Sequence, residues 1–291
     1  MRGAGGLDLS GEDVLRTVSG LVRLEEVGDL TIGDSRYLND LSGLGNLRSI
    51  VDQLSITGNN DLTSLADLSG IASIGGNLYV SGNSNLDEIA AFNGVTSLGG
   101  SLYIESNGRL SSIGGFEHLT SIAGDVSVQS NQDLSSLAGL DRVTSIGGSL
   151  TVRNNSSTST GLTNLAGLDG LENVNGNIAI EGNQRIVNLT GLGSLSSVGG
   201  SFGLADNDAL TSVNGVSALT AIGTNLVVYQ NDALTDLFGL DNVSYVGMNL
   251  IVSNNVSLAA CEAERLRDEI GLSNIHGVVT IYGNDDAGTC P

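Results

Sequence analysis

The chain has 291 residues, 42 of them glycine, with 32 acidic side chains against 11 basic ones and a formal net charge of −21. All 11 basic residues are arginine, and there is no lysine. This balance argues against nucleic acid or an anionic membrane surface as partner, since phosphate neutralisation needs a basic face, and no stretch approaches the ~18 consecutive apolar residues of a membrane span.

The first residues, MRGAGGLDLSGED, carry no apolar signal-peptide region. Leu7-Asp8-Leu9 reads as a truncated first strand, so residues 1–26 are expected to form the amino-terminal edge rung of a repeat array. The array is built from a 24-residue unit, as in VDQLSITGNNDLTSLADLSGIASI (51–74), GGNLYVSGNSNLDEIAAFNGVTSL (75–98), GGSLYIESNGRLSSIGGFEHLTSI (99–122) and AGDVSVQSNQDLSSLAGLDRVTSI (123–146). A fixed period of this length specifies a solenoid, in which each unit buries its apolar face only against its neighbours.

Counted from the start of each unit, apolar residues fall at places 4, 6, 12, 15, 18, 21 and 24. Places 4 and 6 alternate with polar residues, so each unit should give one short strand with 4 and 6 inward and 3, 5 and 7 outward. The other apolar places are three apart. That spacing suits short extended or three-residue-turn segments rather than a helix with its 3.6 period. The fold expected is all-β: a single solenoid of about twelve rungs, β-helix-like and leucine-rich-repeat-like, roughly 50–60 Å long, with residues 27–258 as its body.

Place 9 carries an asparagine column: Asn59, Asn83, Asn107, Asn131, Asn155, Asn183, Asn207, Asn231, Asn255 and Asn284, with Glu12 and Ser35 standing in on the first two rungs. A turn after each strand would leave backbone groups facing inward. A side-chain amide carries both donors and an acceptor, so it can satisfy that turn and the amide of the next rung. One residue type repeated so often is scaffold, not catalyst or metal ligand. Gly-Gly pairs such as Gly75–Gly76 and Gly99–Gly100 supply bends and lack the strand–turn–helix context of a phosphate loop.

The unit starting at Gly147 carries four extra residues within Asn155–Gly161, a polar loop bulging from the array and a candidate binding element. Glycosylation sequons begin at Asn154, Asn155, Asn188, Asn242 and Asn255, but Asn155 and Asn255 belong to the inward column. Near the end the repeat breaks. Leu258–Ile270 reads as a helix, Gly271 as its stop, and Val278–Ile281 as one more strand. Residues 259–291 are thus expected to cap the exposed last rung. Both cysteines lie there, Cys261 and Cys290, and a disulfide between them would staple the cap and imply an oxidising compartment.

Catalytic chemistry is poorly supported. His118 and His276 have no partner placed by the repeat for a nucleophilic triad. Asp29, Glu105, Asp125 and Glu181 fall on outward places as solvated charges, and Glu105 and Glu181 stand three rungs apart, roughly 14 Å, too far for a glycosidase pair. The Asp-rich turns lack calcium-loop spacing. No enzyme activity, cofactor or metal ion is expected.

The pattern L-x-I-x-x-N-x-x-L-x-x-L-x-G-L-x-x-L-x-x-I-G-G resembles the receptor L-domain type of leucine-rich-like repeat across residues 7–284. The resemblance implies a right-handed solenoid displayed outside the cell; the family's receptor members take protein ligands on the outward sheet, and the likeness is closer to the bacterial cell-surface or secreted kind. The tryptophans and cysteine-rich modules that accompany the receptors of that family are missing, so no ligand contacts carry over.

Three functional classes fit this reading. The first is an extracellular or cell-surface recognition or adhesion module, monomeric and not inserted in the membrane, which binds a protein or glycan through the outward sheet. Its expected site is Tyr79 and Tyr103 on adjacent rungs beside Glu105, Gln129 and Arg153, since tyrosine and arginine are enriched at binding hot spots. The second is a structural spacer or envelope rod. The third is an ice- or crystal-surface binder using the repeated Thr96-Ser97, Thr120-Ser121 and Thr144-Ser145, although Ala72, Glu172 and Tyr245 interrupt that band and a turn location is expected for it.

Overall fold

The computed structural model describes residues 5–11, 14–156 and 159–290. It is a parallel β-solenoid with two sheets, one of twelve strands and one of ten, both running in sequence order from rung to rung. The first sheet starts at Leu7–Asp8 and ends at Val279–Tyr282, and its inner strands are four residues long, with places 4 and 6 buried. Neighbours pair in strict register, for example Leu78↔Leu102 and Val80↔Ile104.

The second sheet departs from the expectation of one strand per unit. Each of its members spans only places 23 and 24, from Glu26–Val27 to Tyr245–Val246. Place 24 points inward, as Ile74 and Ile122 do, while place 23 faces out. Two residues are too short a run for alternation to reveal a strand.

Ten turns therefore carry both strands, against about twelve expected. In the eleventh, the helix Ala260–Ile270 is inserted and the second sheet continues only as a single parallel bridge from Val246 to Ile275, and the twelfth contributes the strand Val279–Tyr282 alone. The apolar places three apart are met partly by 3₁₀ turns at Ser19–Leu21, Ser42–Leu44, Ala66–Leu68 and Phe238–Leu240. All these places pack into one continuous core of leucine, isoleucine and valine columns, with Phe92 and Phe116 stacked at 5.4 Å within it.

Directly before the asparagine column, every one of the twelve rungs places a residue in the left-handed region, from Gly11 (φ 70°) and Asp34 (φ 49°) to Asn254 (φ 57°) and Gly283 (φ 66°). This residue ends each strand and swings the chain across the sheet edge. The resulting turn points backbone groups inward, and the asparagines meet them. Asn131 Nδ2 donates to the Ile104 carbonyl at 2.8 Å and to Asn155 Oδ1 at 3.2 Å. From Asn59 to Asn255 the column is fully buried, with Asn284 nearly so and Ser35 opening it. Glu12 lies outside the described residues.

At the carboxyl end the helix buries Ala263, Leu266 and Ile270. Arg265 ties it to the preceding turn: its guanidinium lies 4.6 Å over the Phe238 ring and bonds Asp241, Glu262 and Glu269 at 2.9, 3.1 and 2.6 Å. Burial alone would lower the Arg265 pKa, but these three carboxylates outweigh it and hold the group charged. Cys261 and Cys290 form a disulfide, with Cα atoms 6.0 Å apart. Val279 and Ile281 of the last strand remain half-exposed, so the end of the core is only partly covered. Among the described residues no helix is long and apolar enough to cross a membrane.

Candidate functional site

The outward face of the twelve-stranded sheet is organised as three rows, because strict register stacks equivalent places across the strands. The middle row, place 5, runs Ser55, Tyr79, Tyr103, Ser127, Thr151, Ala179 and Gly203. The row at place 7 carries Glu105, Gln129, Arg153 and Glu181 on four successive strands. The structure thus brings Tyr79, Tyr103, Glu105, Gln129 and Arg153 together on one side of the sheet.

Tyr79 and Tyr103 form a parallel stack, their ring centroids 4.7 Å apart and their planes within 4°. The rung spacing sets this distance: equivalent side chains on parallel neighbours lie about 4.8 Å apart, close to the separation that stacked rings accept. The Tyr79 hydroxyl accepts a bond from Asn77 Nδ2 at 3.0 Å, which fixes the ring from below.

Beside the stack, Ser127 gathers its neighbours. Its hydroxyl donates to Glu105 Oε1 at 2.5 Å, and Gln129 Nε2 donates to both Ser127 Oγ and Glu105 Oε1, at 2.5 and 3.2 Å. Ser127 is buried although it stands on an outward place, because Glu105 and Gln129 fold over it. Its small size between tall neighbours was the only sequence signal for this role. Arg153 bonds Glu181 on the next strand, so its guanidinium is half of an ion pair.

The outward carboxylates at place 3 are not simply solvated charges. Asp29 Oδ1 accepts the Gln53 amide at 3.2 Å, and Asp125 Oδ1 accepts the Ser149 amide at 2.7 Å. Asn77, Ser101 and Asn177 do the same for the next rung. Place 3 is a second polar ladder, missed in the sequence because Asp, Asn and Ser share it without a single residue type. Asp206, Asp208 and Asp232 cluster at the turns beyond Ala205, where partial burial and then the charges of Asp232 and Asp206 raise the Asp208 pKa.

The inserted loop leaves the sheet just after Arg153. Ser156 pairs with Gly161 in a short antiparallel bridge, and the Thr160 hydroxyl bonds Asp133 Oδ1 at 2.8 Å. Residues 157 and 158 lie outside the described residues. Both histidines are exposed. His118 sits at a turn, and His276 packs edge-on against Tyr245 at 5.1 Å. Among the described residues no group of three or more His, Cys, Asp or Glu side chains converges to hold a metal ion.

The band expected at a turn lies partly on a strand. Ser49, Ser73, Ser97, Ser121 and Ser145 occupy successive strands of the ten-stranded sheet, and Ser73 Oγ bonds Ser49 Oγ at 3.0 Å. Thr120 and Thr144 bond the carbonyls of Thr96 and Thr120 at 3.0 and 3.4 Å. The two-residue strand that carries these serines is the element the repeat pattern concealed.

The chain matches no protein-family model and no curated protein. Function is therefore read from the faces of the solenoid themselves.

Proposed function

We propose that the chain is a non-enzymatic, extracellular or cell-surface recognition or adhesion module that takes a protein or glycan on the outward face of its twelve-stranded sheet. The observation that carries this reading is the Tyr79–Tyr103 stack with Glu105, Gln129 and Arg153 on the adjoining strands. Flat aromatic surface next to directional polar groups is the composition of binding hot spots. The disulfide supports an oxidising compartment, and the repeat pattern resembles receptor L-domain proteins, whose receptor members take protein ligands on the outward sheet, with the likeness nearer to the bacterial surface or secreted kind. The acidic balance favours a partner that is not a polyanion.

The test is capture from cell-surface extracts and on a glycan array, comparing the parent with a Tyr103→Ala/Arg153→Ala double variant. Loss of about 2 kcal/mol or more of affinity at unchanged stability is expected for hot-spot residues. Equal binding by parent and variant would move the site elsewhere, with the loop after Asn155 as the next candidate. A second reading, an ice- or crystal-surface binder, is favoured by the serine and threonine band on the ten-stranded sheet. Thermal hysteresis at micromolar protein separates it from the first. A protein that shows neither property is left with the role of a passive spacer or envelope rod.

A further inference from the structure

We propose that the face between Tyr79 and Glu181 binds a neutral glycan chain lying along the solenoid axis, across the strands. This rests on the reading of that face as a recognition surface and assigns the class of its ligand. The first observation is shape. Beyond Tyr103 the middle row falls to Ser127, roofed by Glu105 and Gln129, and then lies open at Thr151, Ala179 and Gly203, while Arg153 and Glu181 stand tall in the row beside it. A shallow trough walled on one side results, a few rungs long at about 4.8 Å each, with the Glu105–Ser127–Gln129 cluster and then the Tyr103 ring at its end.

The second observation is what the trough lacks. None of the exposed large apolar side chains of the described residues stands on this stretch of the outward face. A protein partner would find no desolvated apolar core of the kind that centres protein interfaces. The strands concerned are hydrogen-bonded on both sides, so no backbone edge is open for a peptide to add as a further strand. Side chains on one side of an extended peptide also recur at about 6.6–6.8 Å, out of step with the rungs. A sugar unit in an extended glycan has a length close to one rung, so hydroxyls can meet equivalent places on successive strands.

The third observation is chemistry. The aromatic stack offers a ring face for the C–H side of a pyranose, and Tyr hydroxyl, amide and carboxylate groups supply donors and acceptors in the plane of its hydroxyls. Arg153 and Glu181 neutralise one another, which leaves Glu105 and Asp125 as the uncompensated charges of the trough. That polarity repels uronic-acid and sulfated chains and leaves neutral ones.

The experiment is titration calorimetry with neutral oligosaccharides of glucose, mannose, galactose and N-acetylglucosamine, dimer to hexamer, beside uronic-acid oligomers. At least one neutral series should bind, with the hexamer about tenfold or more tighter than the dimer, as expected when successive rungs engage successive units. Tyr103→Ala should weaken it about tenfold or more and Tyr103→Phe hardly at all, with thermal midpoints showing that both variants fold. Binding of no neutral series, or of the anionic oligomers alone, overturns the assignment. If the double variant has meanwhile lost a captured surface protein, the recognition face survives and only its ligand class is wrong. Neutral-glycan binding untouched by both Tyr103→Ala and Gln129→Ala would place the site elsewhere and overturn the assignment of this face.

Discussion

The side-chain oxygen of Asn131 accepts the backbone amide of Asn107, one rung earlier, at 3.0 Å, and the same contact recurs from rung to rung along the solenoid. Each asparagine thus completes the turn of the rung before it. The apolar columns hold the coil together, and this column decides where each strand must stop.

Replacing Asn131 by leucine should lower stability by several kcal/mol. The change strands the Asn107 amide and the Ile104 carbonyl in the core, at about 1–3 kcal/mol per unpaired group. Chemical denaturation of Asn131→Leu against the parent measures it. An unchanged midpoint would show that the ladder contributes nothing.

The residue before the ladder makes a different prediction. Gln230 holds φ 52° with an exposed side chain, a conformation that costs an L-residue about 1–2 kcal/mol and glycine almost nothing. Gln230→Gly should therefore stabilise by about 0.5–1 kcal/mol, after the greater freedom of glycine in the unfolded chain is subtracted. A loss of stability would mean that the turn is not strained.

The legibility of these features in the sequence differs for physical reasons. The core columns and the asparagines stood out because each place admits few residue types. The left-handed turn is equally regular in space, yet Asp34, Gly58, Ser106, Asn154 and Gln230 all fill it, so composition blurs it. The ten-stranded sheet was hidden because its strands span two residues. The partners of the candidate site were hidden because they sit one rung apart, as Ser127 does beside Glu105 and Arg153 beside Glu181. Alternation says which residues face out, not which of them bond.

The Cys261–Cys290 bridge should act locally. Its 29-residue separation corresponds to about 3–4 kcal/mol in the chain-entropy model. In a solenoid that contribution falls on the last rungs, because each rung contacts only its neighbours. Reduction should speed amide exchange in Leu250–Ser253 and Val279–Tyr282 while leaving the central strands protected. Uniform loss of protection would contradict an edge role.

Asp208 gives a pH-dependent prediction. Its folded pKa is raised, first by desolvation and then by the charges of Asp232 and Asp206. The raised value means that its stabilising contribution is fully present below the unfolded carboxylate pKa and is lost as pH rises through the folded one. Asp208→Asn should thus stabilise at neutral pH, by only about a few tenths of a kcal/mol because solvent screens an exposed site. The gain should vanish as the pH falls below the ordinary carboxylate range. A gain that grows in acid would reverse the sign of this account.

The claim that the outward face takes a neutral glycan is tested most directly by the ring signals of the tyrosines. The chain has six, Tyr37, Tyr79, Tyr103, Tyr229, Tyr245 and Tyr282, so a tyrosine-labelled spectrum is simple enough to assign by single substitutions. On titration with the neutral oligosaccharide panel, the Tyr79 and Tyr103 signals should shift together in saturable fashion while Tyr37 and Tyr245 stay in place. Saturable shifts confined to Tyr245, on the ten-stranded sheet, or a panel that moves no tyrosine at all, would contradict the account.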